Sequence, residues 1–124
     1  MEAPNLRILL VEDQGELRRT FVAMLKRMGA AVVHNAPSGE EALETISQTP
    51  IDFIISEWSL PEMSGMDLLR EVRKNTITSG IPFIMLSNQG ELGEDEIAET
   101  SDYDVDGHLL KPLNHKRFES QVKE

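Results

Sequence analysis

The feature that most constrains this chain is an alternation. Short apolar runs follow one another along its length, and between them apolar residues recur every three or four positions. "LRILLV" at 6–11 opens the series as a strand. Leu17, Phe21, Met24, Leu25 and Met28 follow at helical spacing, and Gly29 ends that helix. "AAVVHN" at 30–35 is a second strand. Ser38-Gly39-Glu40-Glu41 then has the form of a capping box, ahead of Ala42, Leu43 and Ile46, and Pro50 breaks the helix. "IDFIIS" at 51–56 is a third strand, after which Ser64 caps a helix carrying Gly65, Leu68, Leu69 and Val72 on one side. "IPFIML" at 81–86 is a fourth strand, followed by a very acidic helix over 91–101. "DGHLL" at 106–110 is a short fifth strand, and 114–122 has the spacing of a last helix, with Phe118 and Val122 four apart.

The strand runs are apolar throughout rather than alternating, so both of their faces must be buried. Strands and helices in strict succession then imply an α/β domain, a parallel sheet with helices on both sides. The 124 residues are the size of one such domain, and 40% apolar residues suffice for one core. The expectation is a single domain over 1–124, which can also be a segment of a longer chain.

In open sheets of this kind, chemistry sits beyond the carboxyl ends of the strands. There the sequence places Glu12-Asp13, Glu57, Ser87-Asn88 and Lys111-Pro112. Crowded carboxylates repel and tend to persist around a cation. Oxygen donors alone favour Mg²⁺, which shares its shell with waters and phosphate oxygens. A lysine and a hydroxyl opposite the metal would complete a cradle for a phosphoryl group, and a central carboxylate can form an acyl phosphate. Each piece alone has a plainer reading. An acid pair often opens a helix because its dipole favours negative charge there, Lys-Pro is usually a turn, and a serine after a strand is usually a cap. Their joint occurrence at four strand ends is harder to dismiss.

These residues, with "ILLVEDQ", "EWSLPEMSG", "IMLSNQG" and "GHLLKPL" around them, resemble the receiver domain of bacterial two-component response regulators, over about residues 5–122. The resemblance implies a flavodoxin-like (βα)5 fold, a doubly wound parallel five-stranded sheet in the order 2-1-3-4-5. It implies a cytoplasmic signalling switch in a phosphorelay rather than a metabolic enzyme, with a sensor histidine kinase or another signalling protein as partner. By position, Glu12 and Asp13 match the metal-binding acid pair, and the backbone carbonyl of Ser59 matches a further metal ligand. Ser87 and Lys111 match the phosphoryl-binding hydroxyl and ammonium, and the peptide before Pro112 is expected to be cis.

Three departures stand out. Glu57 occupies the phosphoacceptor position, where the family carries aspartate. His108 occupies the position of a rotating Tyr or Phe switch ring. "SDYDVDG" replaces a small, Ala-rich turn before the fifth strand. Glutamate extends the carboxylate by one C–C bond, about 1.5 Å, and in-line transfer loses roughly a hundredfold for an error of that size. Mg²⁺ also tolerates poor geometry badly. The expectation is weak or absent Mg²⁺ binding, no normal phosphorylation, and a longer acid that reaches Lys111. Two alternatives stay open: an ordinary receiver in which glutamate was put in place of aspartate, and a docking domain with a vestigial site that holds no metal.

The net charge of −10 argues against nucleic acid or an anionic membrane as a direct partner. No apolar run has membrane-spanning length, and the absence of cysteine excludes disulfides and thiolate metal sites. Residues 91–106 hold eight acids and no Lys or Arg, whereas the last helix carries Lys116 and Arg117. That contrast points to a homodimer through the last helix–strand–helix face, or to a basic partner.

Overall fold

Apolar strands can hide both faces only between layers of helices, and the chain folds that way. The structure, a computed structural model, describes residues 6–30, 32–88 and 90–111. Along the chain come β1 (Arg7–Val11), α1 (Gly15–Arg27), β2 (Val32–Ala36), α2 (Gly39–Gln48), β3 (Phe53–Glu57), α3 (Gly65–Lys74), β4 (Phe83–Asn88), α4 (Glu94–Asp102) and β5 (Gly107–Lys111). All strand pairs are parallel, in the order β2-β1-β3-β4-β5. This is the flavodoxin-like order that the resemblance implies.

Successive strand residues point to opposite faces, and two cores result. Ile8, Leu10, Ile55, Ile84, Leu86 and Leu109 pack with Phe21 and Leu25 of α1 and with Met28 at its end. Leu9, Val11, Ile54, Phe83 and Met85 pack on the other face with Ala42 of α2 and with Met66, Leu68, Leu69 and Val72 of α3.

Local signals explain the helix ends. Gly29 adopts φ 93°, which a residue without Cβ reaches freely. Its N–H donates to the Lys26 carbonyl at 3.0 Å and that of Ala30 to the Leu25 carbonyl at 3.2 Å, closing α1 in a Schellman motif. The full capping box stands at α3: Ser64 Oγ accepts from the Asp67 N–H, and the Asp67 carboxylate accepts from the Ser64 N–H, both at 3.1 Å. At α2 only half of the expected box forms, since Ser38 Oγ accepts from the Glu41 N–H at 3.2 Å with no return bond.

The structure moves the strand ends. β3 runs to Glu57, β4 to Asn88 and β5 to Lys111, so these residues close the strands rather than follow them. Ladder hydrogen bonds are made by backbone and ignore side-chain polarity: the Trp58 N–H still donates to the Leu86 carbonyl at 2.7 Å. The expected last helix and the Lys111–Pro112 peptide lie outside the described residues.

The turn before β5 is held by one side chain. Arg73 donates from Nε to the Tyr103 carbonyl at 2.9 Å and from Nη2 to the Asp104 carbonyl at 2.9 Å. Its Nη1 donates to the carbonyls of Ser79 at 3.0 Å and Ile81 at 2.6 Å. Asp106, 3.4 Å from Arg73 Nη2, also accepts from the Phe83 N–H at 2.6 Å. Within this turn Asp104 adopts the left-handed region at φ 56°.

Candidate functional site at the carboxyl ends of the strands

The site is built where β1, β3, β4 and β5 end side by side. Glu12 follows the last residue of β1, and its N–H donates to the Ala36 carbonyl at 3.0 Å, which extends the ladder by one residue. Its side chain is fully buried, and both carboxylate oxygens are used. Oε1 accepts from Lys111 Nζ at 3.1 Å and Oε2 from the Gln14 N–H at 3.3 Å. Glu57 pairs in register with Leu86 and is 2% exposed.

Gly65 sets the position of Glu57 by close approach. Its N–H donates to the Trp58 carbonyl at 2.9 Å. A Cβ on Gly65 would stand 2.3 Å from the Glu57 carbonyl oxygen, 2.9 Å from Met85 Sδ and 3.0 Å from Trp58 Cα. The glycine in "MSG" thus lets α3 begin directly against the end of β3. Between them the loop turns through Glu62 at φ 62°, while Leu60 is buried.

Lys111 is the centre of the arrangement. Its ammonium lies 2.5 Å from Glu57 Oε2 and 3.1 Å from Glu12 Oε1, with its side chain only 10% exposed. The approach to Glu57 is off the angle of a hydrogen bond, so it is an ion pair by distance. Burial disfavours both charges. At Glu57 burial dominates, and the carboxyl is pushed up to about 7 although Lys111 pulls it down and the charge of Glu12 adds to the rise. At Lys111 burial also works against the charge, but Glu57 and Glu12 outweigh it and hold the ammonium above its ordinary value. Near neutral pH the site therefore holds a charged lysine beside a glutamate close to its midpoint.

The other residues singled out by the sequence divide. Ser87 is 2% exposed, one residue before the end of β4. Asp13, Ser59 and Asn88 are exposed. Among the described residues no three Asp, Glu or His side chains stand together as a group able to hold a metal ion. An ammonium already lies between the two buried carboxylates, where a cation would be expected. The residues as placed do not fit Mg²⁺, which needs several oxygens at short, regular distances. The chemistry on offer is a closed, internally neutralised carboxylate.

His108, on β5, does not face this cluster. Its Nε2 lies 2.9 Å from Thr100 Oγ1 on α4. Burial holds its pKa below the ordinary histidine value. Sequence reading missed Thr100, Arg70 and Arg73. Arg70 pairs with Asp67 at 2.8 Å and with Glu99, and its guanidinium lies 5.9 Å from the centre of the Tyr103 ring. The acidic stretch before β5 is correspondingly less free than its composition suggests. Glu99 and Asp106 are paired with arginines, and Glu91 Oε1 accepts from the Asn88 N–H at 2.9 Å.

Comparison with known proteins places these features in a family context. A family model described as the response regulator receiver domain matches residues 8–123. The chain is 32% identical to chemotaxis protein CheY1 of Helicobacter pylori over 119 residues, covering 95% of this chain and 94% of that protein. It is 29% identical over 118 residues to chemotaxis protein CheY of Pseudomonas aeruginosa, covering 95% and 94%. Among solved structures, the chemotaxis response regulator CheY4 of Vibrio cholerae superposes with a TM-score of 0.85 at 26% identity, covering 94% of this chain and 95% of that one.

Proposed function

The chain belongs to the response regulator receiver family, and we propose that within it this domain signals through protein contacts without normal phosphorylation. It is a receiver domain of two-component signalling and hence a switch rather than a metabolic enzyme. The finer reading rests on Glu57 at the phosphoacceptor position. The observation that carries it is the Lys111 ammonium, 2.5 Å from Glu57 and 3.1 Å from Glu12. Receiver domains hold Mg²⁺ at an acidic rim of this kind, and an ammonium among the carboxylates supports weak or absent metal binding here. A nucleophile must also be ionised and in line. A buried glutamate near its midpoint is only partly ionised, and its ion pair with Lys111 competes with attack on phosphorus. Its pairing with Lys111 instead stands in for part of what a phosphoryl group would do, with a smaller charge. The partners that suit this reading are a sensor histidine kinase or another signalling protein, with a homodimer through the α4–β5 edge as a further form.

Retention of Glu12, Asp13, Ser87 and Lys111 favours a second reading, in which glutamate replaced aspartate in an otherwise ordinary receiver. Intact-mass spectrometry with Mg²⁺ and acetyl phosphate tests both. The unmutated chain is expected to gain no phosphate and Glu57→Asp to gain one. An adduct mapped to Glu57 overturns the proposal, and an unreactive Glu57→Asp removes the second reading.

A further inference from the structure

Helix α4 is attached to the body of the domain in an unusual way. Of its nine residues only Thr100 is buried, and Ile97, its one large apolar residue, is 44% exposed. Apolar burial therefore contributes little to holding it. Among the described residues two polar ties remain along its length: Glu99 to Arg70 of α3, and Thr100 to His108 of β5. The first is an ion pair whose side chains are 42% and 31% exposed, the class of contact that contributes least in water. The second is partly buried.

The hydrogen-bond count fixes its direction. A threonine hydroxyl has one proton, and Thr100 Oγ1 donates it to the Ile97 carbonyl at 2.7 Å. Towards His108 it can only accept, so the ring carries its proton on Nε2. Nδ1 then has no hydrogen to donate; it is buried and has no partner among the described residues.

We propose that the Nε2–H···Oγ1 bond from His108 to Thr100 is the latch that holds α4 on the sheet, and that α4 is the helix that opens first when this bond is lost. The position at which the family carries a rotating ring is thereby used as a tether, and α4 opens and closes as a local unit. The latch does not depend on the phosphorylation reading of Glu57.

Amide hydrogen exchange on the full chain tests this, with Thr100→Val, His108→Phe and the double variant. Loss of one partly buried hydrogen bond predicts exchange about tenfold faster in each single variant across 94–102. Amides of β1 and β3 should be unchanged, and the double variant should be no faster than either single one, since one bond cannot be lost twice. A two-bond ¹H–¹⁵N spectrum of the unmutated chain should show neutral His108 protonated on Nε2. A proton on Nδ1, unchanged exchange in α4, acceleration spread evenly over β1 and β3, or multiplicative effects in the double variant would each overturn the latch. If Thr100→Val does not fold, His108→Phe decides alone, because it keeps a ring in place and removes the donor together with an Nδ1 that has no partner among the described residues.

Discussion

Gly65→Ala offers a stringent test of how the site is positioned. The added Cβ would meet the Glu57 carbonyl oxygen at 2.3 Å and Trp58 Cα at 3.0 Å, and both belong to backbone. Met85 Sδ at 2.9 Å can move aside, but the backbone of β3 cannot without disturbing its ladder to β4. Overpacking of this kind costs about 1–3 kcal/mol, and contacts with backbone put it at the upper end. For a domain of this size that corresponds to a loss of roughly 4–12 °C in Tm. Gly80→Ala is the matched control, since nothing lies within 4 Å of its added Cβ. It should change stability by less than about 1 kcal/mol, with stabilisation the expected sign. Thermal unfolding followed by circular dichroism reads both. Equal Tm values for the two variants would refute the claim that α3 must approach β3 at a residue without a side chain.

Three further outcomes follow from the same contacts. Arg73→Ala should cost about 3 kcal/mol in urea unfolding, because it strips donors from carbonyls of the α4–β5 turn and of the α3–β4 connection; a loss below about 1 kcal/mol would show that the turn holds itself. Burial lowers the folded-state pKa of His108, so its contribution is fully present above the unfolded value of about 6.5 and is lost as pH falls through the folded value. Comparison of stability at pH 7.5 and 5 should therefore show less acid sensitivity at that step in His108→Phe, and identical profiles would contradict it. Trp58 fluorescence should show no saturable change with micromolar Mg²⁺, given the ammonium between Glu12 and Glu57, and tight quenching would contradict that placement.

The sequence was most legible where one physical rule governed. Continuous apolar runs had to be buried on both faces, and each became a strand of the parallel sheet. Gly29, free of a Cβ, ended its helix and Ser64, with its hydroxyl, began one. Strand ends were less legible, because Glu57, Ser87 and Lys111 are polar yet stay in the ladder. Glu12, Glu57 and Lys111 could be named as neighbours from their places after strands, but not the burial that pushes Glu57 up. That depends on how Gly65 and Lys111 close over it. Ties such as Arg73 to four carbonyls or Thr100 to His108 have no sequence signature, since any arginine or threonine can serve and only tertiary contact selects one. Composition misled in the acidic stretch, where Glu99 and Asp106, though solvent-exposed, are each paired with an arginine.

On the proposed reading, Glu57 is a buried carboxyl held by Lys111 rather than a solvated acid open to metal and phosphoryl groups. Its titration, followed by the side-chain carboxyl ¹³C shift, tests this most directly. Burial raises this folded-state pKa above the ordinary 4.5, so the charge costs stability as pH rises from there towards the folded midpoint. The midpoint should lie near 7 in the unmutated chain and move higher in Lys111→Met, where burial persists and the attraction is gone. A midpoint near 4.5, or no shift on removing Lys111, would contradict the account.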